Sequence, residues 1–154
     1  MRILSIFIGL GLMLLVFADC SKDKFNTKPT LKLKSISSYI AGSTDAITFQ
    51  FDFTDKEGDI SNVLYVRKLR VNKRVTATVR DSFNLSVPNF PKKPNGIIQV
   101  PMDYQNYLIS AINPPSSGNP PKAENDTLIF KFVLKDEANN ISDTVTTDKI
   151  VILR

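Results

Sequence analysis

Two groups of residues in this 154-residue chain have side chains that can do chemistry. The first is a single residue, Cys20, the only cysteine. It stands where an apolar run, residues 3–18, gives way to the polar Ser21-Lys22-Asp23-Lys24. A lone thiol there has no disulfide partner, and the exit of a hydrophobic leader is a place to carry lipid. The second group is acidic. Asp55, Glu57, Asp59, Asp136, Glu137 and Asn140 offer hard oxygen ligands of the kind calcium prefers. The chain has no histidine, which removes the commonest general base and the commonest transition-metal ligand. With Cys20 committed to lipid, thiolate nucleophiles and thiolate metal sites go too. There is no Gly-rich phosphate loop and no Gly-x-Ser-x-Gly elbow. The expectation is therefore a protein that is not an enzyme and has neither cofactor nor assigned metal. A carboxylate pair acting as a small hydrolase is the catalytic alternative.

The acidic residues fall in an internal echo. Residues 49–61 line up with residues 130–142, apolar positions matching apolar positions, Asp55 falling on Asp136 and Ile60-Ser61 on Ile141-Ser142. Each copy reads as a strand, an Asp-initiated loop and a second strand. Two readings of the loops stay open. Asp side chains cap their own turns, and Gly58 and Asn139 tolerate the left-handed backbone that such loops need. Alternatively, Asp55, Asp59, Asp136 and Asn140 hold calcium, although neither loop has the twelve-residue EF-hand spacing.

The net charge is +5, and much of it is concentrated. Arg67, Lys68, Arg70, Lys73, Arg74 and Arg80 all fall on one expected hairpin. Alternation puts Lys68 and Arg70 on one strand face, and Arg67 on the other with Tyr65 and Leu69. Lys68, Arg70, Lys73 and Arg74 are the candidates for binding an anionic partner, a glycan or a lipid headgroup. The competing reading is a solvated edge hairpin whose lysines discourage sheet-to-sheet pairing. Without tryptophan the stacking expected of a nucleic-acid platform is thin, so no nucleic acid is expected.

The elements that must position these residues are strands. Leu31 and Leu33 alternate with lysines; Ile47, Phe49, Phe51 and Phe53 form a stronger alternating row, and so do Leu128, Phe130, Phe132 and Leu134. Residues 150–153 make a last strand. Segments 63–71 and 74–80 read as a hairpin turning at Asn72-Lys73, with shorter strands at 82–87 and 97–102. Residues 104–112 allow one or two helical turns. Proline excludes residues 88–94 and 113–121 from central strands. About seven short strands with no helical stripe indicate an all-β sandwich.

Several stretches resemble known families. Val16-Phe17-Ala18-Asp19-Cys20 resembles a bacterial lipobox, with Asp19 where a small residue is usual. That resemblance implies a diacylglyceryl group on the Cys20 thiol, cleavage before it, and acylation of the new amine. Cys20-Ser21-Lys22-Asp23-Lys24 is similar to the start of Bacteroidota-type surface lipoproteins, which implies an outer-membrane address with surface display. Residues 130–142 resemble a hairpin of bacterial immunoglobulin-like domains, with Ala138-Asn139-Asn140 in place of Ala-Gly-Asn. Asp126-Thr127-Leu128 and Asp143-Thr144-Val145 resemble the O-glycosylation acceptor of exported Bacteroidota-type proteins. The resulting expectation divides the chain into a signal peptide (1–19), a flexible tether (20–29) and an immunoglobulin-like antiparallel β-sandwich (30–154). Its role would be binding or envelope structure, with the membrane as one partner through the lipid and a glycan or envelope protein as the other. A calcium-stabilised glycan-binding module stands beside the hydrolase as an alternative.

Overall fold

Strands form where apolar residues alternate with polar ones, because only a pleated backbone sends successive side chains to opposite faces. The computed structural model describes residues 27–72, 78–89, 91–109 and 116–154. Cys20, the leader, most of the tether, Lys73 and Arg74 lie outside the described residues. In chain order the strands are β1 (Thr30–Ile36), β2 (Ile40–Ala41), β3 (Ala46–Thr54), β4 (Val63–Arg70), β5 (Thr78–Ser86), β6 (Asn95–Asp103), β7 (Ser116–Ser117), β8 (Lys122–Ala123), β9 (Asp126–Lys135), β10 (Val145–Thr146) and β11 (Ile150–Ile152). One π-helical turn, Tyr104–Leu108, follows β6, in the stretch expected to hold one or two helical turns; residues 110–112 lie outside the described residues.

Two sheets pack face to face. One has the order β1-β3-β6; the other runs β2-β11-β9-β4-β5, with β10 also on β9. All pairings are antiparallel except β2 with β11, which is parallel. The chain crosses from one sheet to the other between β1, which pairs with β3, and β2, which pairs with β11. This is an all-β sandwich, as the alternating rows indicated, built from eleven strands among the described residues where about seven were expected.

The core is made by the two strongest alternating rows. Ile47, Phe49 and Phe51 of β3 face Leu128, Phe130, Phe132 and Leu134 of β9, all fully buried. Their rings interlock across the sheets, with Phe51 to Phe132 centroids 4.7 Å apart and Phe49 lying 5.1 Å from Phe132 and 5.3 Å from Phe130. Tilted aromatic pairs at these distances add about 0.5–1.5 kcal/mol each beyond burial.

Two expectations change. Residues 78–80 and 82–86, expected in two separate segments, belong to one strand, β5, which pairs with β4 from Val63↔Ser86 to Arg70↔Thr78; residues 73–77 lie outside the described residues. A two-residue turn at Asn72-Lys73 would pair Arg70 with residue 75, whereas the observed register pairs it with Thr78. Asn72 is not a turn tip: its amide donates to the Asn125 carbonyl at 2.8 Å and accepts from the Thr127 N–H at 2.9 Å, pinning the end of β4 to β9.

The strands also set the two ends of the sandwich. At one end β1 enters beside the exit of β3, Thr30 opposite Thr54, with Asp55 next in the chain. Val63↔Lys135 places the start of β4 and the end of β9 at this same end, beside Asp136. At the other end Arg70↔Leu128 brings the end of β4 to the start of β9, beside Asp126 and the C-terminal Arg154.

Candidate functional site

The echo in the sequence is an echo in the backbone. In the first loop the Asp59 N–H donates to Asp55 Oδ2 at 3.0 Å and the Gly58 N–H to the Asp55 carbonyl at 3.2 Å. In the second, the Asn140 N–H donates to Asp136 Oδ1 at 2.7 Å and the Asn139 N–H to the Asp136 carbonyl at 3.2 Å. The residue before the last is left-handed in both, Gly58 at φ 67° and Asn139 at φ 70°. The turn-capping reading is therefore built into both loops.

The loops also meet. The Glu137 N–H donates to the Asp59 carbonyl at 2.9 Å, and the Asn62 amide donates to the Asp136 carbonyl at 2.5 Å. These cross-links bring oxygen atoms of Asp55, Asp59 and Asp136 within 4.8 Å of one another. All three are buried, at 2%, 8% and 0% exposure. Asp55 Oδ1 and Asp59 Oδ1 have no hydrogen-bond partner among the described residues. Burial pushes the Asp55 carboxyl above the usual carboxylate range; the Asp59 N–H opposes that, and the negative Asp59 and Asp136 add to it. Of the other acidic candidates, Glu57 and Glu137 point to solvent, and Asn140 is half-buried with its amide donating to Asp136 Oδ2 at 2.9 Å. The structure thus unites three of the four residues named for calcium and keeps the fourth at their edge.

The basic candidates are not arranged as expected. Lys68 and Arg70 do share a face of β4, but it is the buried face, at 0% and 2% exposure. The Lys68 ammonium donates to the carbonyls of Tyr107, Leu108 and Ile109 at 2.6, 3.4 and 3.0 Å, closing the C-terminal end of the π-helical turn. Asp81 Oδ2 lies 3.8 Å away. Burial holds the Lys68 pKa below its ordinary value, with Asp81 and Asp126 acting against it. Arg70 Nε pairs with Asp126 Oδ1, and Arg154 Nη2 reaches Asp126 Oδ2 at 2.5 Å. Both cations are turned inward onto partners of this chain, so neither forms part of an exposed basic face.

Asp126, which the sequence marked only within a glycosylation-like triplet, is thus the buried anion of an ion-pair network. Thr127 beside it is half-buried within β9, whereas Thr144 is exposed. Thr144 borders a groove of about 560 Å³ on the outer face of the larger sheet. Tyr65, Arg67, Ser82, Asn84 and Lys131 also line it, an aromatic ring among hydrogen-bonding side chains.

No protein-family model matches the sequence, and no curated protein matches it. Among solved structures the chain is similar to Spo0M, a sporulation control protein from Bacillus subtilis, at 9% identity and a TM-score of 0.45, over 82% of this chain and 50% of that one. A β-glucosidase from Listeria innocua, solved with isofagomine, matches at 9% identity and a TM-score of 0.42, over 81% of this chain and 16% of its own. For a β-glucosidase from Kluyveromyces marxianus the values are 13%, 0.40, 82% and 15%. The chain spans half or less of the length of each.

Proposed function

We propose that the chain is a non-catalytic, lipid-anchored protein of the bacterial outer membrane that displays its immunoglobulin-like domain on a short tether. The observation that carries this reading is Cys20 at the exit of the apolar leader, alone of its kind and followed at once by charged residues. A single acyl chain holds a protein to a bilayer only marginally, whereas the two or three chains of a processed lipobox cysteine anchor it stably. The fold agrees with such a tether, since β1 does not begin until Thr30. The residues between span at most about 30–35 Å when extended. In this reading the groove bordered by Tyr65, Arg67 and Asn84 is the surface offered to a glycan or an envelope protein.

The hydrolase alternative draws no support from the acidic triad. Glycosidase carboxylates stand about 5–5.5 Å or 6.5–9.5 Å apart, flanking an open cleft. Here Asp55, Asp59 and Asp136 are buried, at 2%, 8% and 0% exposure, instead of flanking such a cleft.

The test is metabolic labelling with radioactive palmitate in cells producing the full chain. Label should enter the wild-type protein and be lost in Cys20→Ala, with the variant leaving the membrane fraction. Label retained by Cys20→Ala would overturn the assignment.

A further inference from the structure

We propose that Asp55, Asp59 and Asp136 form a calcium site that ties the two sheets together at one end of the sandwich. The inference is independent of how the chain is anchored. It rests on the one chemical difference between two loops of the same backbone design. In the second loop the position four residues after the aspartate is Asn140, whose amide donates to Asp136 Oδ2 at 2.9 Å and closes the turn. In the first loop that position is Asp59, and a carboxylate has no proton to donate. The result is two buried carboxylate oxygens, Asp55 Oδ1 and Asp59 Oδ1, that lack partners among the described residues. They belong to side chains more than nine-tenths buried, with a third carboxylate, Asp136, within 4.8 Å.

Buried ionised carboxylates persist only when paired or bound to metal. Oxygens within 4.8 Å of one another can all reach one ion at the 2.3–2.6 Å of calcium–oxygen bonds. The donor set is purely carboxylate, which selects a hard cation over zinc or copper. Magnesium keeps several of its waters, and so little exposed a cluster favours the ion that sheds them more readily. Asp55 and Asp59 follow β3 of the smaller sheet, whereas Asp136 follows β9 of the larger one. A shared ion would therefore bridge the layers where the two loops already exchange hydrogen bonds.

The test is thermal unfolding, followed by circular dichroism, of the full lipidated chain in nonionic detergent with EGTA, calcium or magnesium. Calcium at about ten times its Kd should raise the midpoint by roughly 5 °C over EGTA, and magnesium by less. Asp59→Asn, which copies Asn140, should melt higher than wild type in EGTA and show no calcium shift. Calorimetric titration of the wild type should give one calcium per chain. An unchanged wild-type midpoint with no calorimetric binding would overturn the site and leave a shared proton as the means of neutralisation. A full calcium shift in Asp59→Asn would equally overturn it, by placing the ion elsewhere.

Discussion

Lys68 is a buried cation whose environment is as specific as that of the aspartates, and it titrates in a way that can be measured. Three carbonyls receive its ammonium, yet removal from water still lowers its pKa. A cation whose folded pKa lies below its unfolded value contributes stability that is present above the unfolded pKa and lost as pH falls through the folded one. The unfolded value is about 10.4. Urea unfolding at a series of pH values should show wild type gaining stability relative to Lys68→Met as pH rises toward about 10.4; a difference that stays flat would show that burial costs the ammonium nothing. The sequence made Lys68 and Arg70 neighbours on one strand face but gave no sign that the face points inward. Charge usually signals solvent, and only the π-helical turn and Asp126, brought from distant parts of the chain, make burial tolerable. The acidic triad was legible in the opposite sense. The echo exposed Asp55 and Asp136 as equivalent residues, but their meeting depends on β3 and β9 facing each other across the core, which no local pattern states.

The two loops are alike in hydrogen bonding but unlike in what surrounds them. At Gly58 a Cβ would fall 2.7 Å from the backbone nitrogen of Lys93 and 2.9 Å from its carbonyl carbon and oxygen, in a left-handed conformation. Gly58→Ala should therefore cost about 2–3 kcal/mol, combining left-handed strain with a clash that backbone cannot easily relieve. Asn139 at φ 70° is exposed, so Asn139→Gly should change stability by less than about 0.5 kcal/mol. Equal losses in chemical denaturation of the two variants would count against this contrast. Among the strands, alternation located β1, β3 and β9, because each has one face on the core. β5 was read as two pieces. Its pairing with β4 slips between Lys68 and Leu69, and that irregularity interrupts the two-residue rhythm on which the reading depends.

At the scale of the molecule, the phenylalanine layer is flanked by polar clusters at opposite ends. One is the triad of aspartates; the other is Asp126 held between Arg70 and Arg154, which links β4, β9 and the C-terminus. Removing one partner of a buried ion pair leaves an uncompensated charge, at a cost of about 3–5 kcal/mol. Asp126→Ala should lose that much in urea unfolding. The double substitution Arg70→Met with Asp126→Leu should recover most of it. If the double variant is as unstable as the single, the loss comes from packing rather than charge. The other cluster has a mechanical consequence. Because Thr30 pairs with Thr54 at the triad end, a chain held by the lipid proposed for Cys20 would take up load there, with Arg154 and the π-helical turn at the far end. A pull on the far end then draws β1 lengthwise along β3, so the ladder between them resists in shear, its hydrogen bonds sharing the force instead of parting one at a time.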